Sequence, residues 1–532
     1  MAQFLRLLIP LFYLAVGYAI YATWPDRGFQ TDNPPEAPEM TRLSAPGATD
    51  VASGATPQAV PLPQGATITA LPTPSASNVS PNVGIAAPSG SDNVIAALPT
   101  APALPSAPSV GTGVLVPVTQ AGLAPSAPAV IAPPPMPQIV LQDTPTSSTA
   151  IASALASIAD CQQTACAEIE LRDVNLSDLE GQLNELQGVE SLFFLNGKFD
   201  QPGILAPMRR LQNIILTDSQ VEDPASLAEL VTLRSLQLEN TSLATLDPIR
   251  GMSGLEVLNV PNTSISDLSP LQSNTSLRRI DLSGTDVTSL DILRGKPNLE
   301  SVFIRDTNVS DLTPLSASPL LRRVIATGSD VSDLDGISRS LELRVLDLEN
   351  TQVRDLRPIR NLTGITFLNI AGTDVADLTP ISAINGMTVV DISRTPVTDI
   401  RGLSGFRNLR RVFLRGTNVQ DFSPLRQSTN LIELDLEGSP VSNFWSFTTL
   451  QSLEVLNTSQ TNVRDLAPLL RLPNLRQLDV SRTPITDLAP LLNMPSIEEV
   501  ILNFDELSKV NNDLKLADKN FWFRIRDVSA TN

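Results

Sequence analysis

An aspartate recurs in this chain four residues after a serine or threonine, at Asp223, Asp267, Asp355 and Asp487 among ten such places. The hydroxyl residues keep strict time: Ser219, Thr241, Thr263, Thr285, Thr307, Ser329, Thr351, Thr373, Thr395, Thr417, Ser439, Thr461 and Thr483 lie 22 residues apart. Two chemistries are open to such a column of carboxylates. They could supply oxygen ligands to calcium, or each could accept the free N–H groups that open a short helical turn. The residues that follow favour the turn. Proline commonly stands three places after the aspartate, as in "DLSPL" (267–271) and "DLTPL" (311–315), and in a first helical turn its missing N–H does little harm. Capping, and no metal, is expected of the column.

Little else is equipped for catalysis. The 532 residues contain no histidine, which removes the usual general base and the commonest metal ligand. No serine sits in a G-x-S-x-G setting, and neither a G-x-x-x-x-G-K-S/T nor a G-x-G-x-x-G stretch occurs. We expect no enzyme, no cofactor and no small-molecule substrate. A formal net charge of −19 argues against nucleic acid, because phosphate binding needs a basic surface. The only two cysteines, Cys161 and Cys166, stand in "DCQQTACAEIEL". In an exported chain they read as a small-loop disulfide; a free thiol pair and a redox or metal site are the competing readings.

The fixed period dictates the elements that must carry these residues. Around Thr351, "VLDL" alternates so that Leu346 and Leu348 point one way and Asp347 the other, as a strand requires. Val, Ile or Leu follows each hydroxyl by two places, as at Val221, Leu243 and Val353. One such unit cannot bury its apolar face alone, so the units must stack. With Leu343, Leu346, Leu348 and Val353 in its aliphatic places, the unit resembles the leucine-rich repeat L-x-x-L-x-L-x-x-N-x-L, and the D-L-x-P-L that follows resembles the 22-residue repeats of the internalins. The resemblance covers roughly residues 165–505. It implies an α/β solenoid: a leucine-rich repeat horseshoe with a parallel β-sheet on the concave face and short 3₁₀ or helical turns on the convex face. Where the family has an Asn that bonds the backbone of adjacent turns, this chain has Thr or Ser, from which we expect a shorter hydroxyl ladder with the same role.

The remainder divides by composition. Residues 1–32 hold an apolar run from Leu7 to Trp24, long enough to span a bilayer, with Tyr18, Tyr21 and Trp24 toward one end. We read an uncleaved membrane anchor, against a cleaved signal peptide; either places the repeats outside the cytoplasm, in the periplasm or at the cell surface. Residues 33–149 are rich in Pro, Ala and Ser, and between 51 and 150 only Asp92 and Asp143 are charged. This composition predicts a disordered tether, with a glycosylated stalk as a variant of the same reading. Residues 150–196 form an N-terminal cap and irregular first repeat, "STAIASALASIADC" (148–161) having helical spacing; residues 197–503 are the repeats, and 504–532 a C-terminal cap in which Phe521, Trp522 and Phe523 cover the last repeat.

Binding in such folds falls to outward strand residues on the concave sheet. Four places before the hydroxyl these include Phe303, Asp347, Asp391 and Phe413, and two places before it Arg305 and Arg415. Both columns nearly repeat after five units, so a block of 110 residues has been duplicated. The duplication alone accounts for the recurrence. The functional alternative makes Phe303 with Arg305, and Phe413 with Arg415, two equivalent exposed docking points about 24 Å apart at the usual strand spacing, with Asp347 and Asp391 beside them. The internalin resemblance implies a protein partner, a glycan polymer being the other ligand class. The competing function is a structural spacer of the cell envelope without a ligand.

Overall fold

A computed structural model of the protein describes residues 148–503 and 522–526. Each frame contributes one short strand, and the strands pair in parallel, in chain order, as a 17-stranded sheet. Register advances by one frame per strand: Val324 pairs with Leu346, and Leu346 with Leu368. This keeps identical positions in line, so the leucines form one continuous core. Leu343, Leu346, Leu348, Val353, Leu356 and Ile359 are all buried in it. The chain returns through 3₁₀ turns such as Ser269–Leu271, Arg357–Ile359 and Ala467–Arg471.

The aspartates do cap these turns. In twelve of the thirteen frames the side chain at that position accepts the N–H two residues on, at 2.7–3.2 Å; Asp355 Oδ1 takes it from Arg357 N at 2.8 Å. Thr245, Ser289 and Asn443 make the same bond where aspartate is missing. Two of the turns that lack proline carry glycine because the coils touch there: a Cβ on Gly336 or Gly402 would lie 2.1 or 2.3 Å from a carbonyl oxygen of the preceding coil.

The hydroxyl ladder expected between coils does not form. Thr351 Oγ1 donates to Leu348 O, three residues back in its own coil, at 2.7 Å, and ten other residues of the column do likewise at 2.6–2.8 Å. At this position the hydroxyl is turned onto its own coil's carbonyl and away from its neighbour; Ser219, at the start of the column, is the exception and accepts Gly197 N of the preceding coil at 3.4 Å. Backbone bonds join the coils instead, with Leu348 N donating to Asn369 O and Asn350 N to Ala371 O, both at 2.8 Å. The residue before each hydroxyl is left-handed in all thirteen frames, from Asp218 to Arg482, which is why Asn, Asp and Gly dominate that column.

At the N-terminal end a helix, α1 (Ser148–Thr164), buries Ala154, Ile158 and Cys161 against the first strand, Glu168–Arg172. It starts two residues before the boundary drawn from composition. Cys161 and Cys166 form the expected disulfide, with Cα atoms 4.9 Å apart. At the other end, Trp522–Arg526 adds a parallel strand beside Glu499–Asn503. The expected membrane span and nearly all of the tether, residues 1–147, lie outside the described residues, as does Phe521.

The concave sheet face as a candidate binding site

Each strand presents residues six, four and two places before its hydroxyl to the concave face, as with Val345, Asp347 and Glu349. The middle column is largely occupied by its own backbone. Asp347 Oδ1 accepts Glu349 N at 3.2 Å, Asp391 Oδ1 accepts Ser393 N at 2.9 Å, and Asn369, Asp435, Asn457 and Asp479 close their turns in the same way. Asp347 is buried, 5% exposed, and Asp391 is half-buried. The picture of these two as open outward contacts is therefore corrected: their carboxylates hold the strand end. Burial pushes both carboxyls up, Asp391 to about 6, against the hydrogen bonds from Ser393 that pull it down.

Phenylalanine cannot accept that N–H, and the structure supplies a substitute. Ser283 Oγ, one coil earlier, accepts Arg305 N at 3.3 Å, and Ser393 Oγ accepts Arg415 N at 3.2 Å. Serine in one coil and Phe-x-Arg in the next are thus one structural unit, which gives the five-unit recurrence a local reason. The exposed aromatic anchors expected at these points are also corrected. Phe303 is only 5% exposed and Phe413 half-buried. The Arg279 and Arg305 guanidiniums lie over the Phe303 ring, 4.6 and 5.8 Å from its centre, so the accessible groups are the arginines, stacked on an aromatic base. Around Phe413 the arginines pair with acids of the following coil: Arg415 Nε lies 2.7 Å from Asp435 Oδ2, and Arg411 Nε 3.2 Å from Glu433 Oε2.

The column six places before the hydroxyl was not singled out from the sequence, and it carries the face's apolar surface. Val345, Phe367 and Val389 stand side by side in register, all half-buried, with Arg323 on the strand before them and Arg411 on the strand after. In sequence, Val345 beside Leu346 merges with the core leucines. The signal was the column's own composition, arginine, then three apolar residues, then arginine.

No family model and no curated protein matches the chain. Solved structures do. An internalin (InlF) from Listeria monocytogenes is 20% identical with a TM-score of 0.52, covering 65% of this chain and 93% of its own. A leucine-rich repeat protein of Leptospira interrogans is 17% identical with a TM-score of 0.58, covering 66% and 97%. The leucine-rich repeat ectodomain of the Arabidopsis thaliana membrane receptor kinase GASSHO1/SCHENGEN3, solved in complex with Casparian strip integrity factor 2, is 17% identical with a TM-score of 0.50, covering 65% and 50%. At these identities the likeness is one of fold.

Proposed function

We propose that this chain, which has the leucine-rich repeat fold of the internalins, is a non-enzymatic binding protein that holds a protein partner on its concave sheet. The observation that carries this reading is the stripe Val345, Phe367 and Val389 bracketed by Arg323 and Arg411. Interface centres combine apolar and aromatic side chains with arginine, and here they lie on a rigid sheet whose backbone is already paired, leaving side chains to make the contacts. The fold is also that of a receptor ectodomain solved with its ligand. The apolar run Leu7–Trp24 and the Pro/Ala/Ser-rich residues 33–149 support a membrane-tethered placement with the repeats outside the cytoplasm.

The full chain, tagged and recovered from its own cells, tests this. We expect it to retain a protein that the Phe367→Glu variant loses while still unfolding in a cooperative transition, because Phe367 is half-buried on the sheet face and lies outside the leucine core. One observation favours the spacer reading: Asp347, Asp391, Ser283 and Ser393 all have structural duties. A spacer would retain nothing that responds to Phe367→Glu.

A further inference from the structure

The two halves of the duplication are not electrostatic copies. In the three coils centred on Phe303, the nine concave positions hold Arg279, Arg305 and Arg323 against Asp281 alone, a balance of +2. In the three coils centred on Phe413, the corresponding positions hold Arg411 and Arg415 against Asp391, Glu433, Asp435 and Glu437, a balance of −2. The divergence is concentrated on one strand. Where the second copy has Glu433, Asp435 and Glu437, the first has Arg323, Ile325 and Thr327. In the second copy Glu433 and Asp435 engage Arg411 and Arg415 within the sheet, and Glu437 accepts from Gln460. In the first copy Asp435 is replaced by the buried Ile325, and the guanidiniums of Arg279 and Arg305 lie on the Phe303 ring. The Nε of Arg279 is buried without a hydrogen-bond partner.

We infer that the surface around Phe303, and not its duplicate around Phe413, is a docking point for an acidic protein segment. This rests on the concave-face binding proposed above and names the chemistry of the partner there. Arginines stacked on an aromatic ring keep their planar forks oriented, and such forks match carboxylates in geometry as well as charge. A short acidic stretch fits better than a long polyanion. The basic strip is three strands wide, on the order of 10–15 Å at the usual strand spacing. Asp347 and Glu349 lie on the next coil on one side, and Glu239 two coils away on the other, beyond the uncharged Val257, Asn259 and Pro261, so a nucleic acid or sulfated polymer would run onto like charge in a chain of net charge −19. The stripe Val345, Phe367 and Val389 begins on the strand next to Arg323, so one partner with an acidic stretch beside an apolar patch would cover both.

Fluorescent octaglutamate is the probe, titrated onto the full chain at low salt, where exposed charge pairs are least screened. Binding should be lost with added salt, and the Arg279→Ala/Arg323→Ala variant should weaken it about tenfold or more. Converting the second copy with Glu433→Arg, Asp435→Ile and Glu437→Thr should raise the number of peptides bound from one to two. The inference is overturned if the arginine variant binds octaglutamate as well as the wild type, or if Arg411→Ala weakens it equally. It is also overturned if single-stranded DNA binds more tightly through the same arginines. The native partner separates this inference from the broader one. A partner retained by Arg279→Ala/Arg323→Ala but lost by Phe367→Glu removes the acidic-segment assignment and leaves concave binding standing; a partner indifferent to both removes both.

Discussion

Asp391 closes its turn with a carboxylate where Asn369 and Asn457, in equivalent places, use an amide. The amide does the same work without burying charge. Because burial raises the Asp391 pKa to about 6, above its unfolded value near 4, the folded state binds the proton more tightly. Its penalty is absent below about pH 4 and develops as pH rises through 6. The capping aspartates have the opposite sign. Hydrogen bonds from Arg357 hold Asp355 low, and bonds from Ser269 hold Asp267 low, so their stabilisation is present above about pH 4 and lost as pH falls further. Urea unfolding should therefore show greatest stability between about pH 4 and 6. Asp391→Asn should be more stable than wild type at pH 7 by about 2 kcal/mol, a figure discounted for partial exposure, and this gain should shrink toward pH 5. A variant less stable than wild type at pH 7 would contradict the assignment of burial as the dominant cause.

In the coil as an element, two kinds of position carry stability and they differ in size. Leu346→Ala opens a cavity in the continuous core and should cost about 2–5 kcal/mol. Asp355→Ala removes one cap and should cost about 1 kcal/mol. Gln460 is forced left-handed, φ 60°, where most other coils place Gly, Asn or Asp. Gln460→Gly should raise the thermal unfolding midpoint, by an amount equivalent to about 0.5–1 kcal/mol; a lowered midpoint would show that its bond to Glu437 outweighs the strain. The strand, the turn and its aspartate cap were legible because each is spelled by residue type at fixed spacing. The hydroxyl column was legible in position but not in role, since sequence cannot show whether Thr351 reaches its neighbour's backbone or its own. The concave face was legible only in outline. Arg305 and Arg415 were visible as a recurring pair, whereas the burial of Phe303 beneath Arg279 follows from strand pairing that brings residues 24 apart in sequence together.

Across the whole molecule, a repeat solenoid sums nearest-neighbour interfaces, so side chains on the concave face can change with little effect on the fold. That freedom lets the two copies of a duplicated block take opposite charge, +2 around Phe303 and −2 around Phe413, on one shared scaffold. The claim that this face meets a protein partner is tested most directly by photo-crosslinking in the cells that make the protein. A photoreactive residue is placed at Thr327, half-buried on the concave face beside Arg305, or at Arg360, exposed where the 3₁₀ turn Arg357–Ile359 ends. The account predicts a discrete crosslinked protein from Thr327 and none from Arg360. The same adduct from both positions, or none from Thr327 with the full-length chain present and folded, would contradict it.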